Sequence, residues 1–169
     1  HLLEQGDEKD PRRIIEGVIE GGVTTIHFVP TVLDLFLWEL DRHKEYVDKI
    51  RSIKYVFSSG EALKPDTVKK FLSIFETREP KLINVYGPTE ASIDVSVYEC
   101  SRPEDLIPIG KPIDNIRLYI QNNSKICNIG MPGELIITGV GVAQGYINNP
   151  EQTADKFRKN LYGEGNMYY

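Results

Sequence analysis

Between Pro11 and Glu20 the apolar residues Ile14, Ile15, Val18 and Ile19 recur with the spacing of one helix face. Pro11 suits the first turn of that helix, and Gly21-Gly22 ends it. Thr24–Val29 is rich in β-branched and aromatic residues and reads as a strand. Pro30 starts a second helix that runs from Val32 to about Leu40. Ile53–Phe57 is a short apolar strand bounded by polar residues. Pro65-Asp66 opens a third helix with Val68, Phe71, Leu72 and Phe75 on one face, and Leu82–Val85 is a further strand. The order α-β-α-β-α-β with short connections predicts an α/β fold, a parallel sheet with helices packed on its faces. Ligands in such sheets sit at the carboxyl ends of the strands. Three segments follow strands here: Pro30-Thr31, Ser58–Ala62 and Tyr86–Glu90.

The pattern changes after residue 90. Val95–Tyr98, Ile116–Ile120 and Glu134–Thr138 are short β-rich runs separated by turn chemistry at 108–110, Asn122-Asn123 and Met131–Gly133. Nine of the 14 glycines lie in residues 81–169, which favours turns over long helices there. These runs predict a small antiparallel or barrel-like β unit. Asn149-Pro150-Glu151 then opens a short helix through about Phe157.

Composition narrows the possible functions. With 169 residues, 40% of them apolar and 9% aromatic, the chain is not largely disordered. Its formal charge of −5 argues against non-specific nucleic-acid binding, which needs a basic face. No apolar run approaches the ~20 residues of a membrane helix. Cys100 and Cys127 lack CxxC spacing and read as free thiols, and no signal peptide is visible, which points to a cytoplasmic setting.

Three stretches carry candidate chemistry. Asn84–Glu90 sets a carboxamide, a phenol, a hydroxyl and a carboxylate around the Gly87-Pro88 turn. It is either an ordinary capped loop or a nucleotide site. In the second case the ring stacks on a base, the amide pairs with a base edge, the hydroxyl holds a phosphate and the carboxylate ligates Mg2+. Gly133–Tyr146 is a strand followed by a glycine-rich loop without the GxxxxGK[ST] pattern, and its glycines suit hairpins and bulges equally well. Phe57–Leu63 runs a strand into a glycine turn. It lacks GxSxG, and none of the three histidines is tied to Ser59 by sequence, which argues against a serine hydrolase.

Taken together, these stretches resemble the adenylate-forming superfamily, and most closely the adenylation domains of nonribosomal peptide synthetases. Asn84–Glu90 matches the family's N-x-Y-G-P-T-E motif. Gly133–Tyr146 matches G-E-L-x-I-x-G-x-G-x-A-x-G-Y, with Gln144 where Arg is usual, and residues 108–112 match P-I-G-x-P. By this resemblance residues 1–104 are part of the α/β subdomain and residues 105–169 part of a smaller, mostly β subdomain.

The resemblance implies ATP-dependent activation of an acid to an acyl-adenylate, followed by transfer to a thiol. It implies that Asn84 contacts the adenine amino group, that Tyr86 stacks on the base, and that Gly60, Glu61, Ala62 and Gly87 line the nucleotide site. It gives Thr89 the α-phosphate and Glu90 the Mg2+, the two positions closest to catalysis. His27, Phe57, Ser59, Val85, Ile93 and Asp94 fall at the positions that line the side-chain pocket of amino-acid-activating members, in a combination similar to serine-activating domains. A substrate hydroxyl bridging Asp94 and His27 would suit L-serine; the alternative is that these two side chains satisfy each other or solvent. The implied partners are the amino acid, a carrier domain bearing phosphopantetheine and a condensation domain, with no nucleic acid and no membrane.

The family's S-G-T-T-G-x-P-K-G loop, its T-G-D motif and its C-terminal subdomain with the catalytic Lys are not in this sequence. An internal fragment inactive by itself is therefore expected. An acyl-CoA synthetase, a D-alanine–carrier ligase and a non-catalytic nucleotide-binding module are the competing readings. Three polar pocket residues argue against a fatty-acid pocket, and intact Asn84, Tyr86, Thr89 and Glu90 argue against a decayed site.

Overall fold

The computed structural model describes residues 4–76, 79–160, 162 and 167–168; the two chain ends, His1 and Tyr169, lie outside them. The chain divides into two compact units, one of residues 1–85 with 98–110 and one of residues 86–97 with 111–169.

The first unit begins with helix α1 (Pro11–Gly21). The Asp10 side chain accepts from the Arg12 amide at its start, and Gly22 ends it in the left-handed conformation. Strand β1 (Thr25–Phe28), helix α2 (Pro30–Arg42), the short helix α3 (Glu45–Lys49), strand β2 (Tyr55–Ser58), helix α4 (Pro65–Ile74) and strand β3 (Lys81–Tyr86) follow. The expected three helices and three strands are all present. Helix α3 was not anticipated, because five residues carry no readable amphipathic period. Strands β1, β2 and β3 are parallel, in register from Thr25 against Tyr55 and from Tyr55 against Lys81.

The apolar helix faces bury against this sheet. Ile15 of α1, Leu33, Phe36 and Leu37 of α2, and Val68 and Phe71 of α4 join Val56 and Leu82 in one core. The Phe28 and Phe36 rings lie 5.0 Å apart between centroids. A buried carboxylate locks α1 to α2: Glu39 accepts from Arg12 Nε at 2.7 Å and stands 3.4 Å from His43 Nε2. At 2% exposure this carboxylate needs the Arg12 guanidinium, since an unpaired buried charge is costly.

Strand β4 (Ser96–Glu99) corrects one expectation. The sequence pattern groups it with the later β runs, yet it extends the first sheet, whose order continues β3, β4, β5 with β5 at Lys111–Pro112. The cause is the turn at 87–94, which reverses the chain. Val95 N–H returns to the Tyr86 carbonyl and Cys100 N–H to the Leu82 carbonyl, so β4 runs antiparallel.

The second unit holds the expected antiparallel sheet, ordered β7 (Lys125–Ile126), β6 (Ile116–Asn122), β8 (Glu134–Gly139), β10 (Met167–Tyr168) and β9 (Arg158–Lys159). Strands β6 and β8 pair from Ile116 against Gly139 to Gln121 against Glu134. Helix α5 (Pro150–Lys156) starts at Asn149, whose side chain accepts from the Gln152 amide. The buried apolar residues are few: Ala91, Val95, Ile116 and Ile137, with Ile113, Leu118, Leu135 and Val142 packed against them. No helix among the described residues is long and apolar enough to cross a membrane.

Candidate functional site

In the first unit, parallel register carries several predicted residues to one sheet edge. His27 pairs with Phe57, and Ser58 with Asn84, at the carboxyl ends of the strands. One residue further, the Ser59 amide donates to the Phe28 carbonyl, and its hydroxyl shares a 2.7 Å hydrogen bond with His27 Nε2. Asn84 is buried, and its amide nitrogen donates to the Pro108 carbonyl at 2.9 Å. That bond fixes the carboxamide and leaves its oxygen as the acceptor, the polarity that an exocyclic base amino group requires. The loop after β2 is exposed. Gly60 takes φ +89°, and Glu61 accepts from the Thr31 hydroxyl at 2.8 Å.

In the second unit, the predicted residues begin at Tyr86, the last residue of β3. Tyr86 is 36% exposed. Thr89–Ala91 is a single 3-10 turn carrying an exposed Thr89 and a half-buried Glu90. The chain then passes through Ser92 and Ile93, both at positive φ (62° and 77°). A β-branched residue in that region is an outlier, of the kind that collects at functional sites. Gly87 permits it: a Cβ there would stand 2.0 Å from the Ile93 carbonyl oxygen. The turn delivers Asp94, one of whose carboxylate oxygens is buried with no hydrogen-bond partner among the described residues. A buried carboxylate oxygen left in this way is a point where a ligand donor would be accommodated.

The glycine-rich stretch resolves between its two readings. Gly139 does serve the hairpin, at φ +132°, where a Cβ would lie 2.1 Å from the Asn115 carbonyl. The loop beyond it packs on the Thr89–Ala91 turn. Ala143 N–H donates to the Glu90 carbonyl at 2.8 Å, and the Ser92 hydroxyl donates to the Gly141 carbonyl at 2.7 Å. The Tyr146 hydroxyl donates to Glu90 Oε1 at 2.5 Å. Sequence reasoning reaches Tyr146 only as the last residue of its motif and gives it no role.

Among the described residues, no group of three or more His, Cys, Asp or Glu side chains could hold a metal ion. Glu90 nevertheless fits Mg2+, which is commonly held by one or two carboxylates completed by substrate phosphates and water. A cavity of about 620 Å3 in the first unit, lined by Phe71, Phe75, Leu82 and Cys100 among others, includes none of the predicted residues. Burial pushes the Cys100 thiol up to about 11, so it is an unreactive core thiol.

Residues 1–147 match the family model described as AMP-binding enzyme. The chain is 44% identical to a Bacillus subtilis mycosubtilin synthase subunit, over 99% of its own length, and spans 7% of that protein. It superposes with a TM-score of 0.82 on the nonribosomal peptide synthetase FmoA3 in its α-methyl-L-serine-AMP-bound form, at 26% identity, covering 95% of this chain and 18% of that one. It also superposes with a TM-score of 0.76 on NpsA-ThdA from Klebsiella oxytoca, an artificially fused adenylation–PCP di-domain, at 25% identity, covering 94% and 29%. With the family model covering most of its length, and in the span that carries Asn84–Glu90 and the glycine-rich loop, this chain belongs to the AMP-binding enzymes.

Proposed function

We propose that this chain is part of an adenylation domain of a nonribosomal peptide synthetase, which activates an amino acid with ATP and passes the aminoacyl group to a phosphopantetheine thiol. The observation that carries this reading is the Asn84–Glu90 segment. It combines a pinned carboxamide with its oxygen turned acceptor, a half-exposed phenol ring, an exposed hydroxyl and a carboxylate, within the span matched by the AMP-binding family. In this reading Asn84 and Tyr86 hold the base, and Gly60, Glu61, Ala62 and Gly87 line the nucleotide. Thr89 binds the α-phosphate and Glu90 holds Mg2+. The ion would supply charge neutralisation while a carboxylate attacks phosphorus. The residues of this chain orient and bind, and none of them needs to move a proton.

The substrate we propose is L-serine. His27, Phe57, Ser59, Val85, Ile93 and Asp94 would recognise its side chain, with the hydroxyl paired by the polar members of the set. The His27–Ser59 hydrogen bond and the unpartnered Asp94 oxygen support a polar requirement. So does the α-methyl-L-serine-AMP bound by FmoA3. A site built to hydrogen-bond a hydroxyl discriminates strongly against analogues lacking one. The partners in this reading are a carrier domain, as in the fused adenylation–PCP relative, and a condensation domain.

Amino-acid-dependent ATP–pyrophosphate exchange by the complete adenylation domain tests the reading. Serine should give the largest stimulation, and Thr or Asp well above Ser would overturn the substrate. The 169 residues alone should show no adenylation and no micromolar ATP affinity by calorimetry.

A further inference from the structure

Glu90 does not stand alone. Its main chain is tied by Ala143 N–H to its carbonyl, and the Ala91 carbonyl of the same turn lies 3.1 Å from where a Cβ on Gly141 would be. Its side chain is tied separately, by the Tyr146 hydroxyl at 2.5 Å from Oε1. A phenol donating to a carboxylate makes a charge-assisted hydrogen bond.

Tyr146 is itself held from helix α5. Its amide donates to Thr153 Oγ1 at 2.9 Å, and that hydroxyl donates back to the Asn149 carbonyl at 2.8 Å. Its ring meets Phe157 edge-on, with centroids 5.4 Å apart. Gly145, at φ +143°, lets the turn close on Thr153, whose Cγ2 would lie 2.4 Å from a Cβ there. The phenol oxygen therefore has a position set by an element other than the one that carries Glu90.

A carboxylate with one oxygen pinned keeps its side-chain torsions and presents the other oxygen in a fixed direction. Oε2 makes no hydrogen bond to any described residue. Partners that orient a ligating group commonly contribute about 10–100-fold to metal affinity.

We propose that Tyr146 is a positioning residue for the cation: by fixing Glu90 Oε1 it aims Oε2 at the Mg2+ that accompanies ATP. The proposal rests on the reading of Glu90 as the metal carboxylate. Tyr146 would act through Glu90, so its loss should change the metal constant and leave metal-free nucleotide binding alone.

The test uses the complete adenylation domain that contains this chain. Mn2+ affinity is measured by electron paramagnetic resonance in the presence of a non-hydrolysable ATP analogue, and analogue affinity by calorimetry in EDTA. Tyr146→Phe keeps the ring against Phe157 and should weaken Mn2+ about tenfold or more, with analogue affinity in EDTA unchanged. Thr153→Val keeps the phenol but loosens its anchor, and should weaken Mn2+ by less than Tyr146→Phe does. Unchanged Mn2+ affinity in Tyr146→Phe, with a large loss in Glu90→Gln, overturns the role of Tyr146 while Glu90 keeps its own. Unchanged affinity in Glu90→Gln overturns both. If Tyr146→Phe fails to fold, unchanged Mn2+ affinity in Thr153→Val overturns the proposal.

Discussion

Different physics holds each of the two units together. The first has a continuous apolar core in which helix faces cover a parallel sheet, with Phe36, Phe71 and Leu33 fully buried. The second buries few apolar side chains and relies on glycines that admit close backbone approach and on hydrogen bonds between distant loops. Apolar packing is non-directional and tolerates compensation, whereas a hydrogen-bonded loop fails locally when one donor is lost. The segment with most of the proposed metal and phosphate chemistry, Thr89 to Asp94, lies in the second regime. Its geometry is therefore set by a few directional contacts.

That contrast can be broken by substitution. Phe36→Ala should cost about 3–5 kcal/mol in urea unfolding, through lost transfer energy and the cavity left behind. Gly139→Ala should cost about 2–3 kcal/mol, because its Cβ would collide with the Asn115 carbonyl at a positive φ. If Gly139→Ala proves neutral, close approach is not what holds the second unit. Ser92→Ala removes the donor to Gly141 and should cost about 1 kcal/mol, read as faster amide exchange confined to residues 90–94 and 141–143.

The smallest effect is a pH dependence in the first unit. The Tyr98 hydroxyl and, after it, the Arg102 guanidinium hold the Glu104 carboxyl below its usual range. A depressed folded value gives stability that is present above about pH 4.3 and lost as pH falls through the folded value. The same bond to Glu104 raises the Tyr98 phenol, so its contribution is present below about pH 10 and lost as pH rises beyond. Glu104→Gln should be slightly less stable than the parent between these limits and converge with it in acid. A constant difference from about pH 3 to 7 would break the assignment.

Much of the first unit was legible because its elements are long enough to carry a period. Pro11 and Gly22 bracket α1 as expected, and the β1, β2 and β3 runs are rich in β-branched and aromatic residues. Helix α3 and the two-residue strands β5, β7, β9 and β10 were not legible, being shorter than any repeat. Strand β4 is recognisable as a strand but groups with the wrong sheet, since pattern gives alternation and not pairing partners. The candidate site was legible where its residues are consecutive, from Asn84 to Glu90. The bond from Tyr146 to Glu90 was not, because 56 residues separate its ends and only tertiary structure closes that distance.

The chain passes between its two units three times, after Val85, after Val97 and after Gly110. This threading governs how such a molecule can be recombined. A graft of residues 86–97 into a relative would carry Glu90 and its strained turn but leave behind Ala143 and Tyr146, which grip it. A working chimera would have to take residues 86–97 and 111–169 together, with three junctions chosen at once. In the proposed reading, the contacts that position the metal carboxylate are therefore inherited as a pair of segments, residues 86–97 and 111–169.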